Sequence, residues 1–179
     1  MPIESALVIL IPEAEVLVGS FRNRYDPPAA LGVPAHVTVL YPFKPPHELT
    51  EEVMQSLESL FARYQAFTTS FVEAKQFPGV LYLAPALDHT FRRLTELVTE
   101  RFPETPAYGG EFADIVPHLT VAQVNDSRLM VHIAAEFESN AREHLPILAN
   151  VREVALIDNE SGYWQVRRRF PLAANASAP

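Results

Sequence analysis

The spacing of hydrophobic residues along this chain changes several times, and each spacing predicts one type of element. A run of six apolar residues at 6–11 is closed by Pro12 and is typical of a buried strand. Stretches rich in β-branched and aromatic residues predict further strands at 37–41, 67–74, 80–84, 119–122, 151–157 and 163–170. Pro78 and Gly79 suit the centre of a type II turn, so 67–84 is predicted to form a hairpin.

Between these strands, apolar residues recur every three or four positions, which is the period of a helix that buries one face. The pattern predicts helices over 12–25, 50–64, 89–101 and 127–137, and loops over 26–35 and 103–110. Most of the predicted strands are joined by turns or by single helices. The chain is therefore predicted to be α+β, with mainly antiparallel sheets and helices on the outside.

Two of the predicted strands carry nearly the same tetrapeptide, HVTV at 36–39 and HLTV at 118–121. Side chains in a strand alternate between its faces, so His and Thr share one face and the apolar residues point into the core. A single His in a strand is more often structural than catalytic. Packing alone, however, gives no reason to repeat His and Thr at the same spacing. We therefore predict that the four polar side chains form one site with internal two-fold character: His36, Thr38, His118 and Thr120.

Composition and charge narrow the classes of function. The chain has 179 residues, 48% of them hydrophobic, which suits one domain or one domain with two lobes. It contains no Cys, which excludes disulfides, a Cys nucleophile and thiolate metal ligands. The formal net charge of −8 argues against binding an extended nucleic acid duplex. We find neither a signal peptide nor an apolar run long enough to cross a membrane, and we expect a cytoplasmic protein.

With their flanking residues, the two motifs resemble the two-histidine (2H) phosphoesterase superfamily. The segments PAHVTVLYPF at 34–43, FPGVLYL at 77–83 and VPHLTV at 116–121 are similar to its bacterial branch of 2′-5′ RNA ligase-like proteins and 2′,3′-cyclic phosphodiesterases. The resemblance covers about 5–172. It implies a bilobal fold, with the motifs on central strands of two antiparallel sheets that face a shared cleft. We therefore expect one bilobal domain at 1–172 and a flexible C-terminal tail at 173–179.

The resemblance also implies an activity, the metal-independent opening of a 2′,3′-cyclic phosphate on a nucleotide or RNA end. Imidazole suits this chemistry, because with a pKa near 6.5 it can act as base or as acid at neutral pH. The hydroxyls of Thr38 and Thr120 can donate to the phosphate oxygens. The family assigns His118 as the base and His36 as the acid, although the residues themselves are symmetric. No cofactor is implied, and no metal-binding motif such as HExxH is present.

Alternative functions remain open at this point. The same residues could serve 2′-5′ ligation of RNA ends, or a nucleotide- or RNA-binding module that does not react; two intact motifs favour an enzyme. Tyr108, in a Gly-rich loop before the second motif, and Phe43, just after the first, are candidates for stacking on a base. Ordinary packing is the alternative for each of them. We expect a small nucleotide or RNA-end substrate, no membrane partner, and a monomer.

Overall fold

The computed structural model describes residues 2–111 and 114–174, and eight strands within these ranges form two four-stranded sheets. The strands are β1 (Ser5–Leu10), β2 (His36–Leu40), β3 (Phe67–Phe77), β4 (Val80–Pro85), β5 (Leu119–Gln123), β6 (Ile147–Val151), β7 (Glu153–Asp158) and β8 (Gln165–Pro171). The α-helices are α1 (Glu15–Tyr25), α2 (Pro27–Ala30), α3 (Glu51–Phe61), α4 (Asp88–Arg101) and α5 (Ser127–Ala141). Short 3-10 turns lie at Pro12–Ala14, Pro46–Glu48 and Ala107–Gly110.

The strand order is β2-β1-β7-β8 in the first sheet and β5-β4-β3-β6 in the second, and neighbouring strands are antiparallel throughout. The predicted bilobal α+β fold is confirmed. The placement of the motifs on central strands is wrong, because β2 and β5 are each the edge strand of their sheet. The two edge strands contact one another, so an edge position still brings the motifs together.

Two helices each pack on the sheet that does not contain the strand preceding them. Helix α1 follows β1 of the first sheet but packs on β5 of the second, whereas α4 follows β4 of the second sheet and packs on β2 of the first. The contact between α4 and β2 includes a hydrogen bond, in which the buried Thr95 hydroxyl donates to the Val39 carbonyl at 2.7 Å. Each motif strand is therefore covered by a helix from the other half of the chain.

The main core lies between the inner faces of the sheets and the helices, and α1 and α5 meet there through the rings of Phe21 and Phe137. A smaller apolar cluster lies on the opposite face of the first sheet, formed by Ala6, Val8, Val33, Ala155 and Ile157. The division follows the alternation along β1, whose odd-numbered apolar residues, Leu7 and Ile9, belong to the main core. The first sheet thus has apolar surface on both faces.

Several element boundaries differ from the sequence-based predictions. Most of the strand predicted at 151–157 is β7 of the first sheet. Val151 is instead the last residue of β6 in the second sheet, a strand whose other residues were not predicted, and the chain passes between the sheets at Arg152. Residues on both sides of Arg152 favour strand, and their spacing carries no signal for a change of sheet. The predicted loop at 26–35 contains the single turn of α2, and the helix predicted at 12–25 begins as a 3-10 turn.

The predicted tail at 173–179 falls only partly on described residues. Ala173 is tied to the body of the protein, since its N–H donates to the Tyr64 carbonyl and its own carbonyl accepts from the Ala66 N–H, both at 2.8 Å. Residues 175–179 lie outside the described residues. Within the described ranges, no helix combines the length and apolar character needed to cross a membrane.

Substitution on α1 tests how this helix packs against α5 in the main core. The Phe21 ring is 1% exposed and meets the Phe137 ring edge-on with centroids 5.2 Å apart. Phe21→Ala should lower the free energy of unfolding by about 3–5 kcal/mol, because it opens a cavity between α1 and α5. Val16→Ala on the same helix is the matched control; Val16 is 81% exposed, so the change should stay within about 0.5 kcal/mol. Urea titration measures both, and similar losses in the two variants would contradict this packing.

Candidate active site

The two motifs follow the alternation that the sequence predicts. The side chains of His36, Thr38, His118 and Thr120 are partly exposed on one face of each strand. The apolar residues between and after them are buried: Val37, Val39, Leu119 and Val121. Both strands therefore anchor their apolar side in the core and present His and Thr on the other face.

His36, Thr38 and Thr120 line a cleft of about 570 Å³ next to the smaller apolar cluster. Its lining includes His36 and Thr38 from the first motif, Thr120 from the second, and Tyr108. His118 lies beside this lining, close enough for its charge to interact with that of His36 and with Asp26, another lining residue. No group of three or more His, Asp or Glu side chains in the described part of the chain is placed to hold a metal ion.

Both imidazoles are oriented by the same backbone contact. Nδ1 of His36 lies 2.8 Å from the Pro34 carbonyl, and Nδ1 of His118 lies 2.7 Å from the Val116 carbonyl. A carbonyl oxygen can only accept a hydrogen bond, so each Nδ1 carries the proton. Nε2 is therefore the nitrogen available for chemistry on both rings, as an acceptor when the ring is neutral and as a donor when it is charged.

Helix α1 holds the backbone that orients the first imidazole. The Arg22 guanidinium donates to the Val33 carbonyl at 3.0 Å, and the Glu15 carboxylate accepts from the Ala35 N–H at 2.6 Å. These contacts lie on either side of the proline carbonyl that accepts from His36. Arg22 and Glu15 are thus positioning residues for the first motif.

A buried ion pair lies next to the cleft. Arg22 and Asp26 are 2.8 Å apart, and each side chain is 3% exposed. Removing either partner would leave an uncompensated buried charge, so the two are expected to act as a unit. This pair was not predicted from the sequence, because Asp26 falls in the predicted loop at 26–35. The signal that could have found it is the spacing of four residues between Arg22, in the last turn of the predicted helix, and the acid that follows that helix.

Burial and the ion pair together set the proton affinity of the two rings. Burial, helped by the charges of Arg22 and His118, lowers the pKa of His36 to about 4, against the opposing effect of its Pro34 contact. Burial also lowers the pKa of His118, but there the Asp26 carboxylate acts in the opposite direction and favours the charged ring. The two motifs are alike in geometry but differ in their electrostatic environment.

Tyr108, a candidate for stacking on a base, lines the cleft from the loop before the second motif. Its backbone is left-handed, with φ 50° and ψ 36°, and its N–H donates to the Tyr41 carbonyl at 2.6 Å. Its hydroxyl interacts with Thr38, and burial raises the pKa of the phenol. A non-glycine residue in this conformation is uncommon, and here the surrounding contacts hold it.

The second predicted stacking residue, Phe43, is not at the cleft. It is 5% exposed and packs edge-on against Phe102 in the main core, with ring centroids 5.3 Å apart. Tyr41 and Trp164 line the cleft instead, and Tyr41 contacts both Trp164 and Tyr108 with centroids 6.4 Å apart. The aromatic wall of the cleft is thus Tyr41, Tyr108 and Trp164.

The sequence matches a known family over most of its length. The model of the 2′-5′ RNA ligase superfamily matches residues 11–162. Among curated proteins, this chain is similar to a "Putative phosphoesterase" of Bacillus cytotoxicus, with 33% identity over 102 residues, and to one of Bacillus cereus, with 29% identity over 107 residues. Each match covers 57% of this chain and 58% of the relative, so the chain spans little more than half the length of these relatives.

Solved structures share the fold. Escherichia coli LigT in complex with 3′-AMP has a TM-score of 0.60 and 16% identity, over 96% of this chain and 99% of LigT. LigT in complex with NADP+ has a TM-score of 0.59 and 18% identity, over 96% and 98% of the two chains. TT0787 of Thermus thermophilus has a TM-score of 0.60 and 18% identity, over 96% and 99%. At these identities the likeness establishes the fold alone.

The low proton affinity of the first imidazole predicts a pH dependence of stability. The pKa of His36, about 4, lies below the ordinary value of 6.5, so the unfolded chain binds more protons between these pH values. The free energy of unfolding should therefore fall as the pH falls from about 6.5 to about 4. His36→Gln should remove about 1–3 kcal/mol of that fall in urea titrations at several pH values.

The control is the range between pH 7 and pH 8, where this ring is neutral in both states and the two proteins should have parallel profiles. A variant that loses as much stability as the wild type on acidification would contradict the lowered pKa of His36.

Proposed function

This chain belongs to the 2′-5′ RNA ligase superfamily, and on that premise we propose that it is a phosphodiesterase that opens 2′,3′-cyclic phosphates by acid–base catalysis with two histidines. The observation that carries the proposal is the pair of imidazoles with matching Nδ1–carbonyl contacts beside one cleft. Two rings whose Nε2 atoms are available can take one proton and supply another in the same reaction. This is what opening a cyclic phosphodiester requires.

In the proposed reaction, Nε2 of one imidazole takes a proton from water as the water oxygen attacks phosphorus. The bond from phosphorus to one ribose oxygen breaks, and Nε2 of the other imidazole gives that oxygen a proton. The hydroxyls of Thr38 and Thr120 donate to the non-bridging phosphate oxygens, where negative charge develops. The product is a phosphate monoester, and proton exchange with solvent returns the two rings to their starting states.

The electrostatics favour His36 as the base and His118 as the acid. Arg22 disfavours a proton on His36, whereas Asp26 favours one on His118. The family resemblance suggested the opposite assignment. A bound phosphate anion raises the pKa of any imidazole beside it, so the charged acid becomes accessible when substrate is present.

Similar proteins support a nucleotide as the ligand. Structures of Escherichia coli LigT contain 3′-AMP, NADP+, ATP or phosphate, and the curated Bacillus relatives carry the name phosphoesterase. A nucleotide also suits a cleft with an aromatic wall next to two hydroxyls and an imidazole. The monomeric state, the cytoplasmic location and the absence of duplex binding stay predictions from the sequence.

The main test replaces each proposed catalytic imidazole. His36→Gln and His118→Gln should each lower kcat/KM for nucleoside 2′,3′-cyclic phosphates by roughly 10²–10⁴-fold, the usual contribution of a general acid or base. His132→Gln is the matched control, because His132 is exposed on α5. The assay contains excess chelator, and wild-type activity should persist. Undiminished turnover in either catalytic variant would contradict the mechanism.

The same assay, run also with RNA fragments that carry suitable ends, separates the alternatives. Joining of RNA ends without hydrolysis would indicate a 2′-5′ RNA ligase. Saturable binding of the cyclic nucleotide without any reaction would indicate a binding module. Hydrolysis that depends on both imidazoles supports the phosphodiesterase.

A substrate with an easy leaving group tests which ring is the acid. A 2′-deoxynucleoside 3′-(4-nitrophenyl phosphate) has no neighbouring hydroxyl, so water must attack phosphorus. The nitrophenolate that leaves needs no proton, so loss of the acid should matter less. The activity of His118→Gln relative to the wild type should be roughly tenfold or more higher on this substrate than on the cyclic phosphate. The relative activity of His36→Gln should be equally low on both substrates. Release of nitrophenolate is followed by absorbance. Recovery of the His36 variant instead would reverse the two roles.

A further inference from the structure

The cleft extends well beyond the motifs along the first sheet. In the register of β1 and β2, Thr38 lies opposite Val8, and alternation places Ala6 and then Glu4 further along the same face. At about 3.3 Å per residue, Glu4 lies about 13 Å along the strand from the level of Thr38. All four residues line the cleft, so the hydroxyl of one end and the carboxylate of the other belong to one continuous surface.

The surface between these ends suits a flat, mostly apolar group. Its floor is formed by the small side chains of Ala6 and Val8, and its wall by the rings of Tyr41, Tyr108 and Trp164. A nucleobase can stack on the face of such an aromatic ring or pack against its edge. A single nucleoside phosphate with its phosphate at Thr38 would point its base toward Glu4.

Glu4 is held as a hydrogen-bond acceptor at the far end. Its N–H donates to Oδ1 of Asn159 at 2.7 Å, and its carbonyl accepts from the Asn159 N–H at 3.2 Å. The Tyr41 hydroxyl donates to one carboxylate oxygen, Oε2, at 2.7 Å. Burial, together with this contact, raises the pKa of Tyr41 to about 12, so the hydroxyl remains a donor at neutral pH. The carboxylate thus keeps a fixed orientation while it lines the cleft.

The charge of the cleft disfavours long or multiply phosphorylated substrates. Its described lining includes the carboxylates of Glu4 and Asp26 and contains neither Lys nor Arg. Asp26 is paired with Arg22, whereas Glu4 forms no ion pair with any described residue. A strand of RNA normally follows a cationic groove, because each phosphate must be compensated.

We propose that Glu4 is a specificity residue that recognises the base of a mononucleoside 2′,3′-cyclic phosphate by accepting hydrogen bonds from its N–H groups. Guanine offers two adjacent donors, N1–H and the N2 amino group, that match the two oxygens of a carboxylate. Uracil presents a single N–H between two carbonyl oxygens, which a carboxylate repels. This inference rests on the proposed function and adds the substrate class, a guanosine cyclic phosphate in preference to uridine or to an RNA end.

The test compares kcat/KM for guanosine and uridine 2′,3′-cyclic phosphates in the wild type and in Glu4→Gln. The wild type should prefer guanosine by about 10- to 100-fold, the discrimination expected of one bidentate contact. Glu4→Gln should lose most of that preference, because guanosine loses its carboxylate acceptor and uridine is no longer repelled. Cooperative urea unfolding of the variant reports correct folding. Glu13→Gln, an exposed carboxylate changed in the same way, is the matched control and should keep the preference.

A short RNA with a 2′,3′-cyclic phosphate end completes the comparison, and it should be a poorer substrate than the guanosine compound. Equal turnover of both nucleosides, or a preference that survives Glu4→Gln, would overturn base recognition and leave the phosphodiesterase standing. A better rate on the RNA would overturn the mononucleoside substrate. Absence of hydrolysis with every cyclic phosphate would overturn the proposed function and this inference together.

Discussion

The contact between the two edge strands, β2 and β5, is the constraint on which the rest of the structure depends. Each sheet contributes one His and one Thr, so neither lobe contains a complete set. Helices α1 and α4 hold the contact, because each packs on the motif strand of the other sheet. Displacing one lobe would therefore disturb both the core and the candidate site, and the stability of the fold and the alignment of the four polar groups are linked.

Within this nearly symmetric frame, helix α1 introduces an asymmetry. Both imidazoles donate from Nδ1 to a carbonyl two residues earlier, so their geometry is the same. Burial lowers the pKa of both rings. The charge of Arg22 adds to this effect at His36, whereas the carboxylate of Asp26 opposes it at His118. An acid–base pair needs such a difference at one pH, and duplication of a motif cannot supply it.

The two ends of the cleft also differ in chemistry. Hydroxyls and an imidazole stand at one end, a carboxylate held by Tyr41 stands at the other, and aromatic rings form the wall between them. This arrangement suits a compact ligand with one anionic group and one flat group. The acidic balance of the whole chain points the same way, since it offers no broad attraction for polynucleotides.

The sequence by itself determined the fold class, the alternation of His and Thr against buried Val and Leu, and the pairing of two motifs far apart in the chain. These follow from local periods, which state which face of an element is buried. Only the tertiary structure decided that the motif strands are edge strands, that the chain changes sheets at Arg152, and that Phe43 packs on Phe102 whereas Tyr41 lines the cleft. It also brought Glu4 and the Arg22–Asp26 pair to the cleft. The physical reason is that these features depend on which strand or helix becomes the neighbour, and neighbours distant in sequence are chosen by packing of the whole core.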